Sequence, residues 1–193
     1  MSKRALFLDR DGVLNPDVGY PHRLSDAKLY DDVIPALRAI IKAGYSIFVI
    51  SNQSGVARGL FSLADVRRFN KALCRELQDR GIAIFPRQFY ICPHAASDRC
   101  ECRKPKPGLL LRVSREHDVR LGESFLVGDK ELDVQAGRRA GVFTIRLSRS
   151  GRVKRSKADR VVSSLRQAAG LIRRQRTGLA NHPPSRARRG YGQ

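Results

Sequence analysis

The chain has 193 residues, 38 Lys+Arg against 18 Asp+Glu, a formal net charge of +20 and no tryptophan. That length suits one domain with a sizeable core and is short for two. No stretch approaches the roughly 20 apolar residues of a membrane span, and Met1-Ser2-Lys3-Arg4 runs into a strand-like segment without a signal-peptide core, so a cytoplasmic protein with no membrane partner is expected. The charge is uneven: residues 1–140 hold 24 Lys+Arg and 17 Asp+Glu, whereas residues 141–193 hold 14 and 1. The last quarter therefore reads either as a polyanion-binding tail or as a solvated basic end. The modestly basic body suits a phosphorylated substrate.

Apolar runs alternate with helical periodicity along the chain. Ala5–Leu8 is a short apolar run. Asp32–Ala43 has apolar residues at helical spacing and stops at Gly44. Tyr45–Ile50 is a second strand-like run, and Ser62 with Asp65 three positions on opens a helix reaching Arg80 and Gly81. Gln88–Ile91 reads as a third strand, and Pro107 or Gly108 opens a helix to His117. Ser124–Val127 is a strand, Leu132–Ala140 a helix, Val142–Leu147 a strand, Arg160–Val162 a last short strand and Ser163–Arg174 a last helix. Such alternation predicts an α/β fold whose parallel sheet is covered by helices on both faces. The predicted domain is 1–174, followed by a basic, disordered tail over 175–193 that is rich in Arg, Gly, Pro, Ser and Asn.

In parallel sheets of this kind ligands bind at the carboxyl ends of the strands. Four polar groups fall there or at a neighbouring helix start: Asp9 and Asp11 in Phe7-Leu8-Asp9-Arg10-Asp11-Gly12, the run Ser51-Asn52-Gln53-Ser54-Gly55, Arg103-Lys104-Pro105, and Gly128-Asp129-Lys130. Singly, an Asp-x-Asp reads as a turn or cap and a Ser-Asn as a loop; together they describe phosphoryl chemistry. A carboxylate is ionised at neutral pH, with a reference pKa of about 3.9, so Asp9 needs no base to act as nucleophile. A divalent cation on Asp9, Asp129 and the Asp11 carbonyl offsets its repulsion from phosphate, and oxygen ligands beside a phosphate indicate Mg²⁺. Asp11 can protonate the leaving oxygen and then deprotonate water. Ser51 and the Asn52 N–H can donate to phosphoryl oxygens, and Lys104 supplies a fixed positive charge.

There are four cysteines, Cys74, Cys92, Cys100 and Cys102. A disulfide framework does not suit a cytosolic chain. Cys92, His94, Cys100 and Cys102 offer three sulfurs and an imidazole within eleven residues, a ligand set for a closed, structural zinc site, with incidental buried thiols as the other reading. Cys74 reads as a small core residue.

FLDRDGVLN, ISNQSG, RKPKPG and VGDKELD resemble, in order, the four signatures of the haloacid dehalogenase superfamily of phosphatases. Within it the chain is similar to the D-glycero-D-manno-heptose 1,7-bisphosphate phosphatases and to histidinol-phosphate phosphatases, over about Ala5 to Leu147. The resemblance implies a capless Rossmann-like core, an aspartyl-phosphate on Asp9, Mg²⁺ at Asp9, Asp11 and Asp129, and a zinc-binding loop that positions Arg103 and Lys104. It also implies substrate contacts from Asp17, Val18, Gly19, Tyr20, Ser51, Asn52, Gln53, Ser54, Arg103, Lys104 and Lys130.

The leading expectation is a monomeric, Mg²⁺-dependent phosphatase acting on a small phosphorylated sugar, the heptose bisphosphate, to leave the 1-phosphate. Histidinol phosphate and a nucleic-acid 3′-phosphate end are alternative substrates of the same chemistry. A zinc module binding nucleic acid through the basic tail is the non-enzymatic alternative, disfavoured because unbalanced carboxylates repel phosphates.

Overall fold

The computed structural model describes residues 2–152 and 155–178. Six strands, β1 (Arg4–Leu8), β2 (Tyr45–Asn52), β3 (Phe89–Cys92), β4 (Phe125–Gly128), β5 (Phe143–Leu147) and β6 (Arg160–Val162), form one sheet in the order β3-β2-β1-β4-β5-β6. Every pairing is parallel. The helices are α1 (Val33–Lys42), α2 (Leu63–Asp79), α3 (Gly108–His117), α4 (Glu131–Arg139) and α5 (Leu165–Gly178).

Alternation along β1 divides the core. Leu6 and Leu8 face a cluster containing Val33, Leu37 and Ile40 of α1 and Leu165, Ala168 and Ile172 of α5. Ala5 and Phe7 face the other cluster, with Leu109, Leu110 and Val113 of α3 and Ala136 of α4. Strands buried on both faces read as continuous apolar runs because neither side meets water. Truncating a fully buried side chain such as Phe7 to alanine costs about 3–5 kcal/mol in such a core. Ser62 and Asp65 form a capping box at the start of α2, satisfying N–H groups that the helix cannot.

Register sets the height of the chemistry. Leu8 pairs with Val49 on one side and Val127 on the other, so the residues after β1, β2 and β4 emerge at one level. The chain moves outward from β1 in both directions, and the β1/β4 boundary is the point where crevices form. Two expected bounds shift: β2 continues two residues past Ile50, and α5 extends beyond Arg174 to Gly178. The disordered tail expected beyond it lies outside the described residues. Among the described residues no helix is long and apolar enough to cross a membrane.

Candidate active site

Asp9 leaves β1 with its backbone still bonded to the sheet, its N–H donating to Val127 O at 3.0 Å. Its Oδ1 accepts from the Arg10 N–H at 2.8 Å and from Lys104 Nζ at 2.8 Å. No donor among the described residues reaches Oδ2. Lys104 Nζ also contacts Asp133 Oδ1 at 2.7 Å and Ile50 O at 2.9 Å. The ammonium thus makes hydrogen bonds to Asp9 and Ile50 and a close ion pair with Asp133, whose Oδ1 has no hydrogen-bond partner of good geometry among the described residues, on a side chain only 2% exposed. Sequence reasoning placed Lys104 over the phosphate as a fixed charge; the structure ties it between two carboxylates. Burial pushes the Asp9 carboxyl up to about 7, with Asp133 and Asp11 adding to the rise and Lys104 opposing it. Burial acts to lower the Lys104 pKa, but the charges of Asp133 and Asp9 outweigh it and hold the ammonium above its ordinary range.

Asp11 is oriented differently. Its Oδ1 accepts from Arg10 Nε at 2.8 Å and Asn15 Nδ2 at 2.9 Å, and its Oδ2 from Arg10 Nη2 at 2.9 Å and Gln53 Nε2 at 3.0 Å. Arg10 is fully buried, lies 4.4 Å from the centre of the Phe69 ring, and donates onward to Asn70 Oδ1 and Pro21 O. The carboxylate is fixed by four donors. A buried arginine inside the first motif, with Asn15 four residues after Asp11, was the available but unused signal for this support.

Asp9, Asp129 and Asp133 have carboxylate oxygens within 4.8 Å of one another. Asp129 Oδ1 is buried with no hydrogen-bond partner among the described residues. Leaving such an atom unmet costs about 1–3 kcal/mol or more, and a divalent cation satisfies it; oxygen-rich acidic sites suit Mg²⁺. Burial raises Asp129 to about 6. The Asp11 side chain is absent from the trio, so this residue can reach a cation there only through its carbonyl. Gly12, at φ +82°, lets the turn pass so close that a Cβ would sit 2.4 Å from Asp129 Oδ2. Asp133 was not singled out from the sequence, although it lies four residues after Asp129 in VGDKELD, on the first turn of α4.

The cleft above these carboxylates has a volume of about 280 Å³. Its wall brings together Asp9, Asp11, Asp17, Gly19, Tyr20, Ser51, Asn52, Gln53, Ser54, Arg103, Lys104 and Lys130, residues distant in sequence. Val18 is not part of it and is 62% exposed. Gln53 Nε2 bridges Asp11 to Ser51 Oγ, at 2.8 Å from the latter. Asn52 and the Lys104 backbone exchange two 3.0 Å hydrogen bonds, fastening the third motif to β2. Lys130 reaches Asp17 Oδ2 at 2.7 Å across the mouth, where hydrogen bonds and the ammonium's charge hold the Asp17 carboxyl down against partial burial.

Beside the cleft, Cys92, His94, Cys100 and Cys102 converge. Neighbouring ligand atoms lie 3.3–3.6 Å apart: Cys92 Sγ to His94 Nδ1, Cys92 Sγ to Cys100 Sγ, Cys102 Sγ to His94 Nδ1 and Cys102 Sγ to Cys100 Sγ. A tetrahedron of Zn–S bonds of about 2.3 Å has edges of about 3.8 Å, so this four-ligand cluster fits a small tetrahedral ion. Burial pushes the Cys92 thiol up, whereas hydrogen bonds from Cys102 and Cys92 bring Cys100 down despite its own desolvation. Arg103 Nη1 donates to His94 O at 3.1 Å, joining the cluster to the cleft.

Known proteins resemble this chain in sequence and in fold. A family described as HAD-hydrolase-like matches residues 101–168. The chain is 38% identical over 175 residues to the D-glycero-beta-D-manno-heptose-1,7-bisphosphate 7-phosphatase of Photorhabdus laumondii, covering 87% of this chain and 88% of that one. It is 36% identical over 182 residues to the corresponding enzyme of Escherichia coli K12, covering 89% and 94%. The crystal structure of D,D-heptose 1,7-bisphosphate phosphatase from B. bronchiseptica, complexed with magnesium and phosphate, superposes with a TM-score of 0.77 at 28% identity, covering 89% and 99%.

Proposed function

As this chain belongs to the haloacid dehalogenase-like hydrolases, among the heptose bisphosphate phosphatases, and is a phosphoric monoester hydrolase, we propose that it removes the C7 phosphate of D-glycero-β-D-manno-heptose 1,7-bisphosphate, as a cytoplasmic monomer. One observation carries the mechanism: Asp9 has Oδ1 tethered by Lys104 and Oδ2 without a donor, at the base of a cleft that Asp11 also lines.

Asp9 Oδ2 attacks phosphorus in line with the bond to the C7 oxygen, forming an aspartyl-phosphate. Asp11, held by Arg10, Asn15 and Gln53, delivers the proton to the departing oxygen and then removes one from the water that hydrolyses the intermediate. The Ser51 hydroxyl and Asn52 N–H donate to phosphoryl oxygens, while Lys104 orients Asp9 and balances the buried charge of Asp9 and Asp133. Mg²⁺, held by Asp9, Asp129 and the Asp11 carbonyl, supplies the positive charge that offsets carboxylate–phosphate repulsion; Asp133 adjoins this set. Asp17, Gly19, Tyr20, Gln53, Ser54, Arg103 and Lys130 border the sugar. Val18, expected from the resemblance to touch substrate, lies outside the cleft wall and is given no role. Zn²⁺ on Cys92, His94, Cys100 and Cys102 is structural and supports Arg103.

The test is release of phosphate, with Mg²⁺, from heptose bisphosphate, histidinol phosphate and a 3′-phosphorylated oligonucleotide, ranked by kcat/KM. The expected order puts the bisphosphate first. Preference for either other substrate overturns the substrate assignment, and equal activity of Asp9→Asn overturns the mechanism.

A further inference from the structure

Among the described residues of the basic C-terminal quarter, Arg149, which lies in none of the four motifs, reaches back to the catalytic turn. Its Nε donates to Gly12 O at 3.3 Å, and its Nη2 to Val13 O at 2.9 Å and Asp32 Oδ1 at 3.0 Å. The guanidinium carbon sits 3.6 Å from the centre of the Tyr30 ring, and the Tyr30 N–H donates to Leu14 O at 2.9 Å. Asp32 occupies the N-cap position of α1 but makes no side-chain cap to that helix. Its carboxylate instead takes Arg149 on Oδ1 and the Leu165 N–H, at the start of α5, on Oδ2 at 2.6 Å.

We infer that Arg149 is a positioning residue for the reaction: it fixes the Gly12–Val13 turn, and through that turn the spacing between Asp9, Asp11 and Asp129. The inference rests on the cation site proposed above. Its physical basis is directional. A guanidinium is a rigid planar fork that can hold two carbonyls and a carboxylate in one plane, whereas an ammonium cannot. Gly12 is the residue whose close approach leaves no room for a Cβ against Asp129 Oδ2. A turn free to rotate its carbonyls changes that approach, and with it the distance from Asp129 to the Asp11 carbonyl. The Tyr30 face and the Asp32 carboxylate leave the guanidinium one orientation. Sub-ångström placement of metal and reacting groups controls rate far more than it controls substrate affinity.

The experiment compares Arg149→Lys, which keeps the charge and loses the fork, with the wild-type full chain. Four quantities are read: kcat, KM for the sugar bisphosphate, the Kd for Mn²⁺ by paramagnetic resonance without substrate, and the thermal midpoint. The expected result is about a tenfold fall in kcat, a KM within about twofold, and a Kd for Mn²⁺ raised about tenfold, the range seen when a residue supporting metal ligands is lost. A kcat and a Kd both within about twofold of wild type overturn the inference. A lowered kcat with unchanged Mn²⁺ affinity overturns the route through Asp129. If Arg149→Lys does not fold, Tyr30→Leu, which removes only the ring beneath the guanidinium, must shift the Mn²⁺ Kd in the same direction, and no shift there overturns the inference. The Mn²⁺ measurement stands even if the wild-type protein proves inactive on the bisphosphate, so failure of the substrate assignment remains distinct.

Discussion

Two polar centres among the described residues lie side by side and are built in opposite ways. The Cys/His cluster draws all its candidate ligands from Cys92, the last residue of β3, and the loop that follows it to Cys102. The acidic centre draws on the ends of β1 and β4, the first turn of α4 and the start of the segment before α3, and its central ion pair joins Asp9 to a lysine 95 residues away. The first is a local arrangement of soft ligands; it needs little of the fold beyond a strand to hang from. The second is a set of like charges held together by the sheet, by Lys104 and by Arg10. Folding must keep three carboxylates close against their repulsion, and only a densely packed scaffold does so.

The widest gap between the two centres should appear on removal of the nucleophile. Asp9→Asn is expected to lower kcat with Mg²⁺ by at least about 1,000-fold, with zinc content by metal analysis unchanged; loss of zinc in that variant would show that the centres are not separable. Next, Lys104→Met leaves Asp9 and Asp133 facing one another without their shared cation. Removing one partner from a buried ion pair costs about 3–5 kcal/mol, so urea unfolding should register a drop of that order alongside inactivity.

Cys100→Ser attacks the other centre. It should lower bound zinc and raise KM by about tenfold with a smaller change in kcat, because Arg103 hangs on His94 O while Asp9 does not. An equal loss in kcat would tie the cluster to the chemistry itself.

A pH series separates the centres more finely. Without a cation, burial holds Asp9 up to about 7 and Asp129 to about 6, both above the carboxylate reference of 3.8. The folded state therefore binds more protons than the unfolded state between about pH 4 and 7, and the contribution of these groups to stability falls as pH rises through that window. Mg²⁺ bound as proposed would have to displace those protons at low pH and would meet ionised ligands above about pH 7. The gain in thermal midpoint on adding Mg²⁺ should accordingly be larger at pH 8 than at pH 5.5; a gain independent of pH would remove Asp9 and Asp129 as ligands. The smallest expected effect is at the mouth: Lys130→Gln breaks a half-exposed pair with Asp17 and should cost under about 1 kcal/mol of stability, with its main effect on KM.

These contrasts bear on how the protein could be read before its structure was known. The strand–helix alternation, the parallel sheet and the Ser62–Asp65 cap were legible because they depend on local periodicity and hydrogen-bonding chemistry. The expected strand ends were short at β2 by Ser51 and Asn52, since polar residues at the end of a buried strand look like loop. Asp133 and Arg10 went unnoticed as participants: an aspartate on a helix's first turn and an arginine in a turn each have an ordinary local explanation.

By itself the amino-acid sequence determined the residue types the chemistry requires, their order along the chain, and the whole ligand set of the Cys/His loop, because spacing within eleven residues is a local property. Only the tertiary structure decided that Lys104 lies between Asp9 and Asp133, that Asp11 turns away from Asp129 toward Arg10, Asn15 and Gln53, and that Arg149 reaches back to Gly12 and Val13. The physical reason is that charge pairing in a dry interior depends on distance and direction between groups brought together by sheet register, and nothing in the local pattern of the chain carries that information.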